Sequence, residues 1–198
     1  MYSQDFQNLI STSDKILSLL EGSSFHSDDF LVWEVARKFI SQAVTHSGTI
    51  LDIGCGNGFL LRCLQEWQNY PLIPYGIDTN SEFIGKAKLL FPNQSQNFAV
   101  LSIENLDKLV SAGLPDKYDL IYWNVWDNWD FDSDRHLEIL KDVMSHVRPG
   151  GRLILGLYYT ESQYNLEKVN QLKSHGFPPD GMTKNSPDKW EIVCWFDK

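Results

Sequence analysis

The amino-acid sequence predicts an α/β fold: a doubly wound, mostly parallel seven-stranded sheet with a C-terminal antiparallel hairpin, in a single domain with an N-terminal helical extension. Three observations carry this reading. Short apolar runs of strand length alternate with stretches of helical periodicity between residues 49 and 176, the pattern of parallel strands joined by covering helices. The first run enters a glycine-rich turn, Gly54-Cys55-Gly56-Asn57-Gly58, which opens a helix. The last segment, Trp190 to Phe196, alternates like a half-buried strand returning antiparallel. A chain of 198 residues holds one such domain with a substantial core and is short for two. Residues 1–48 therefore read as a helical cap and residues 49–198 as the α/β domain.

Within the cap, Phe6, Leu9, Ile10, Ile16, Leu17 and Leu20 suggest one or two amphipathic pieces broken around Ser11-Thr12-Ser13. Glu21 to Ser24 reads as a loop. Ser27-Asp28-Asp29 offers an N-cap and first-turn acids for a helix to about Thr45, with Val32, Val35 or Ala36, Phe39, Ile40 and Ala43 on its apolar face. Such a segment either covers one face of the sheet or forms a lid.

Ile50, Leu51 and Ile53 make the first buried strand. The helix after the glycines, Phe59 to about Gln68, places Leu60 or Leu61, Leu64 and Trp67 on one side. Pro71 to Asp78 supplies a second strand, and a helix from Ser81 to Phe91 ends before Pro92. Phe98 to Leu101 is a third strand, followed by Ser102-Ile103-Glu104-Asn105. Tyr118 to Trp123 is a fourth, running into a loop dense in tryptophan and aspartate, Asn124 to Asp132. Asp132-Ser133 caps a helix to about Val147, with Leu137, Leu140, Met144 and Val147 inward. Arg148 to Arg152 turns into a fifth strand, Leu153 to Tyr158. Thr160 and Gln163 have capping-box spacing for a helix that stops at His175-Gly176. Pro178 to Lys184 is a weak sixth strand, and Asn185 to Lys189 turns into the seventh.

Strand, glycine turn and helix N-terminus together form a ligand cradle, because they expose unpaired N–H groups without side chains in the way. The glycine spacing is not the Gly-x-Gly-x-x-Gly of dinucleotide enzymes. Asp52 stands two residues before the first glycine, where it would repel a pyrophosphate but could hold an ammonium group. The stretch Leu51-Asp52-Ile53-Gly54-Cys55-Gly56-Asn57-Gly58 resembles the first motif of class I S-adenosylmethionine-dependent methyltransferases. Tyr118-Asp119-Leu120-Ile121 and Arg148-Pro149-Gly150-Gly151-Arg152 resemble two further elements of that family. The resemblance covers roughly residues 49 to 198.

It implies a Rossmann-like domain that binds S-adenosylmethionine as cofactor and transfers its methyl group. Asp52, Gly54, Cys55, Gly56, Asn57 and Gly58 would then form the cradle. Asp78 would hold the ribose hydroxyls, Thr79 would border the adenine, and Asn124 would stand at the site. The family's acid just past the third strand falls at Ile103 here, so either Glu104 substitutes for it or Ile103 and a backbone carbonyl hold the ring. In an open parallel sheet, loops at the strand C-termini form the binding crevice. Trp126, Asp127 and Trp129 are accordingly the candidate substrate-binding residues, suited to an amine or aromatic acceptor.

A net charge of −9 argues against broad contact with nucleic acid phosphates. A small-molecule substrate is expected, with a protein substrate as the other choice. Cys55, Cys63 and Cys194 show neither metal spacing nor a paired framework, which suits reduced thiols in the cytoplasm. No signal peptide and no apolar run of membrane-spanning length stand in the chain. Methyl transfer needs alignment more than a shared catalytic group, and His26, His46, His136, His146 and His175 form no constellation. No catalytic residue or metal ligand is therefore assigned. The competing readings are a nicotinamide-dependent oxidoreductase, disfavoured by the glycine spacing and Asp52, and a domain that binds S-adenosylmethionine without catalysis.

Overall fold

The computed structural model describes residues 2–11, 13–21, 27, 29–159, 162–185 and 191–198. Its strands are β1 (Gly48–Ile53), β2 (Leu72–Asp78), β3 (Phe98–Val100), β4 (Tyr118–Val125), β5 (Val147–Leu157), β6 (Gly181–Lys184) and β7 (Ile192–Asp197). The α-helices are α1 (Gln4–Ile10), α2 (Ser13–Leu20), α3 (Phe30–Arg37), α4 (Phe59–Trp67), α5 (Ser81–Leu90), α6 (Asp134–Ser145) and α7 (Ser162–Ser174). The strands form one seven-stranded sheet in the order β3-β2-β1-β4-β5-β7-β6. The first five pair parallel, and β7 pairs antiparallel with both β5 and β6. The order reverses between β1 and β4, so the loops leaving those two strands part and open a crevice.

Successive residues of a strand face opposite sides, and both sides are covered. Leu51, Ile53, Ile121 and Leu153 pack with Leu140 of α6 and Leu172 of α7. Ile50, Leu120, Tyr122 and Ile154 pack on the other face with Leu61 and Leu64 of α4 and Ile84 of α5. Helices α1 to α3 add a further layer outside α4, where Phe6, Leu20, Phe30 and Trp33 meet Phe59 and Cys63. No helix among the described residues is long and apolar enough to cross a membrane.

The third helix departs from its expected form. It is α-helical only to Arg37 and continues as a 3-10 helix over Lys38–Ala43. Val32 and Val35 face solvent, while Phe30, Trp33, Glu34 and Arg37 are buried. The aromatic rings decide the roll: Trp33 lies 5.1 Å from Phe59 and 5.9 Å from Trp67, burying more apolar surface than the valines could. The tighter 3-10 winding changes the angular phase, so Phe39, Ile40 and Ala43 still turn inward. Strand β4 runs two residues past Trp123, which puts Asn124 and Val125 in the sheet. Strand β5 begins at Val147 and includes the Arg-Pro-Gly-Gly-Arg element. Ser23, Ser24, His26, Asp28, Thr160, Lys189 and Trp190 lie outside the described residues.

Candidate active site

The glycine turn is built where β1 stops. Both Gly54 N and Cys55 N donate to Ile77 O, at 2.8 and 3.0 Å, which ties the turn to the end of β2. Gly54, Gly56 and Gly58 all adopt left-handed φ, at 78°, 53° and 78°. Their surroundings differ. A Cβ on Gly54 would meet nothing within 4 Å, so that backbone faces open space. One on Gly58 would come within 3.2 Å of the Phe91 ring and 3.3 Å of Ala87, so this glycine lets α4 approach α5. Asn57 Oδ1 accepts from Phe59 N at 3.1 Å, and Asn57 Nδ2 donates to Leu19 O at 2.7 Å, latching the end of α2 to the turn.

Asp78 ends β2 facing this turn. Its Oδ2 accepts from Gly56 N at 2.9 Å and its Oδ1 from Asn80 N at 2.8 Å. The N-cap of α5 is Asn80, which accepts from Glu82 N and Phe83 N. Asp78 is thus left with unused lone pairs for a ligand. Asp52 lies in β1 beside Gly76 and Tyr122, and only 2 % of it is exposed. Its carboxyl has no hydrogen-bond partner among the described residues. Burial, reinforced by the neighbouring charge of Asp78, pushes its pKa up to about 8.

These groups line a cavity of about 350 Å³ at the C-terminal ends of β1 and β4. Its wall includes Asp52, Gly54, Cys55, Gly56, Asn57 and Asp78, together with Asn124, Trp126 and Asp127. Five other residues singled out in the sequence are not part of the wall. Thr79 is exposed beside Asn80, and Gly58 packs on α5. Ile103 packs against the core. Glu104 turns outward to an ion pair with Arg135, because a guanidinium on α6 offers a charged partner that the crevice does not. Trp129 packs edge-on to Trp123 at 4.9 Å and stacks on His136 at 4.2 Å, so it anchors the loop.

The cavity also recruits residues that the sequence did not single out: Glu21, Trp33 and Arg37 from the N-terminal layer, Leu60 and Phe83 from α4 and α5, Tyr122 and Val125 from β4, and Tyr158 just past β5. No local spacing in the sequence marks the first group, since Arg37 stands beside Lys38 and near Glu34 on an ordinary amphipathic helix. The loop after β4 is held from α7. Lys168 Nζ donates to Trp126 O at 2.9 Å and Asp127 O at 3.1 Å, and Gln171 Nε2 donates to Asp130 Oδ1 at 3.0 Å. Burial lowers the Lys168 pKa against the pull of Asp127 and Asp130. Trp126 itself stays 69 % exposed at the rim. Among the described residues no group of three or more His, Cys, Asp or Glu could hold a metal ion.

The donor set suits a ligand with an ammonium and a sugar. A buried carboxyl without a partner, a carboxylate with free lone pairs and an open glycine backbone meet in one space, and S-adenosylmethionine carries groups for each.

A family model described as a methyltransferase domain matches residues 45–191. Among curated proteins, the chain is 26 % identical over 146 residues to a ribosomal protein L11 methyltransferase of Burkholderia ambifaria, covering 71 % of this chain and 42 % of that protein. The chain thus spans less than half the length of that relative. Among solved structures, a methyltransferase from Pyrococcus furiosus superposes with a TM-score of 0.59 at 14 % identity, covering 99 % of both chains. Fibrillarin from Aeropyrum pernix, solved with S-adenosylmethionine bound, superposes with a TM-score of 0.57 at 15 % identity, covering 83 % of this chain and 73 % of that one. At these identities the superpositions speak to the fold.

Proposed function

The chain belongs to the class I S-adenosylmethionine-dependent methyltransferases, and from that membership we propose that it methylates an amino group presented at the Trp126–Asp127 rim. The cofactor of this family is S-adenosylmethionine, which when bound supplies an activated methyl group on a sulfonium. The protein then has to bind, orient and exclude water. Asp52 is suited to the cofactor's ammonium group and Asp78 to its ribose hydroxyls. Asn57 and the glycine turn are suited to holding the chain that joins them. Trp33, Leu60 and Tyr122 close the interior against water. An ammonium acceptor must lose its proton before attack, and the proton leaves to water at the open mouth.

The observation that carries the amine reading is the rim. The exposed indole of Trp126 stands beside Asp127, and their carbonyls are fixed by Lys168. Indole faces and carboxylates both attract cations. The other ionisable acids and bases of the wall are Glu21, Asp52, Asp78 and Arg37, and Arg37 is ion-paired to Glu191 at 2.7 Å. A rim of this kind serves a small-molecule amine and also an amino group on a protein. The relatives named as ribosomal protein methyltransferases support the protein acceptor. Residues 1–48 act in this reading as a helical cap on the domain of residues 49–198, supported by Glu21, Trp33 and Arg37 in the wall. We place the protein in the cytoplasm, which its three buried free thiols support.

The test is incubation with methyl-labelled S-adenosylmethionine and three acceptor sets: free amines, ribosomal proteins and total RNA. Label appearing on a nitrogen of an amine or a protein side chain supports the proposal. Label confined to RNA overturns it. A protein that binds the cofactor but labels nothing in any set supports the non-catalytic alternative, and one that binds NAD in its place revives the oxidoreductase reading.

A further inference from the structure

The least explained part of the cavity is its inner end. Tyr122 of β4 and Tyr158, just past β5, both line it, and their hydroxyls are hydrogen-bonded to each other. The site is built around that pair. A Cβ at Gly156 would sit 2.8 Å from the Tyr122 hydroxyl oxygen and 2.8 Å from that of Tyr158, so only a glycine leaves the phenols room to meet. Arg37 lies over the Tyr158 ring, its guanidinium carbon 4.4 Å from the centroid.

Proton counting shows what the pair lacks. Both phenols are held well above their ordinary pKa, chiefly by burial, so both carry their protons. Their mutual bond uses one proton. The second O–H has no acceptor among the described residues, although a buried donor left unsatisfied is costly. Nearby Glu191 is already engaged: its Oε2 accepts from Arg37 Nη1 at 2.7 Å and from Asn185 Nδ2 at 2.9 Å. The spare donor, with a guanidinium behind it, calls for an anionic oxygen from a ligand.

The register says which one. Tyr122 pairs directly with Asp52 across β4 and β1, so the spare donor adjoins the buried carboxyl suited to an ammonium. One side chain accepts a positive group and its neighbour donates to a negative one, the arrangement that receives the two ends of an α-amino acid.

We propose that the Tyr122–Tyr158 hydroxyl pair, backed by Arg37, is the subsite that binds the methionine carboxylate of S-adenosylmethionine. The assignment rests on the reading that S-adenosylmethionine occupies this cavity, and the test separates the two. Affinity is measured by titration calorimetry for S-adenosylmethionine and for its decarboxylated analogue, with wild type, Tyr158→Phe, Tyr122→Phe and the double Phe variant. Thermal melting is followed on each protein. The double variant should lose about ten- to a hundredfold in affinity for S-adenosylmethionine, the size of a charge-assisted hydrogen bond, and stay within about twofold for the decarboxylated analogue. Gly156→Ala, which drives the phenols apart, should show the same selectivity for the carboxylate.

Equal losses for both ligands in a folded variant, or no loss for either, overturn the subsite while leaving the cofactor reading intact. Wild-type protein that binds neither ligand overturns the cofactor reading and the subsite with it. If the double variant melts before the titration, Gly156→Ala, which keeps both rings but displaces the hydroxyls, decides by the same ratio.

Discussion

Raising the pH from 6 to 8 should tighten S-adenosylmethionine binding steeply, and the cause is Asp52. Without ligand its pKa is raised to about 8, so at pH 7 about nine molecules in ten hold the proton. An ammonium beside the carboxyl favours the ionised form, and binding must therefore expel that proton. Linkage gives the size: the dissociation constant should fall about ninefold between pH 6 and 7, and the gain shrinks towards pH 8 as Asp52 becomes ionised and the ligand's own ammonium begins to lose its proton. Groups facing Asp52 do not compete over this range. The Cys55 thiol and the Tyr122 and Tyr158 phenols are all pushed upward by burial and stay protonated. Asp78 supplies the fixed negative charge that adds to the rise.

In the free protein the sign for stability is the reverse of the usual carboxylate case. The folded state holds a proton that the unfolded chain releases, so this contribution falls as the pH rises from the ordinary carboxylate range through about 8. Calorimetry in buffers of different ionisation enthalpy should show about 0.9 proton released per ligand at pH 7. Asp52→Asn should bind weakly and with a flat pH profile. An affinity constant from pH 6 to 8 with no proton released would refute the reasoning.

Asp78→Ala should weaken S-adenosylmethionine by about 1–3 kcal/mol in a binding titration, since it removes the acceptor proposed for the ribose hydroxyls and the one that Gly56 N uses. Trp126→Ala should raise the acceptor KM with an unchanged melting temperature, because the side chain is 69 % exposed; early melting with normal turnover would show that the indole serves packing instead. Trp129→Ala should do the opposite and destabilise the fold by about 2–4 kcal/mol, as it removes the ring packed between Trp123 and His136. Lys168→Met should raise the acceptor KM while leaving cofactor affinity within about twofold, because it frees the Trp126 and Asp127 carbonyls from α7 without touching the glycine turn.

The order of strands and helices from residue 49 onward was legible because each element announces itself locally. Ile50 to Ile53 and Leu120 to Trp123 are apolar over strand length, Asn80 and Ser133 stand where helices begin, and three glycines mark the sharpest turn. Asp52 and Asp78 were legible for the same reason, since each sits at a fixed offset from that turn. The roll of α3 was not legible. Val32 and Val35 offer as good an apolar stripe as Phe30 and Trp33, and only the rings of Phe59 and Trp67 waiting on α4 decide which stripe is buried. Nor could spacing reveal that Glu104 turns to Arg135, thirty-one residues further on. The inner end of the cavity is the clearest case. Arg37, Tyr122, Tyr158 and Glu191 come from a cap helix, the interior of β4, the residue after β5 and the residue before β7, and no local pattern links them. They meet because the parallel order places β4 between β1 and β5, and because the antiparallel return of β7 carries Glu191 back to the same edge. Local chemistry in the sequence determines the glycine turn and the two aspartates beside it; the charges and hydroxyls of the wall opposite it are brought together by chain crossings that only the tertiary structure makes.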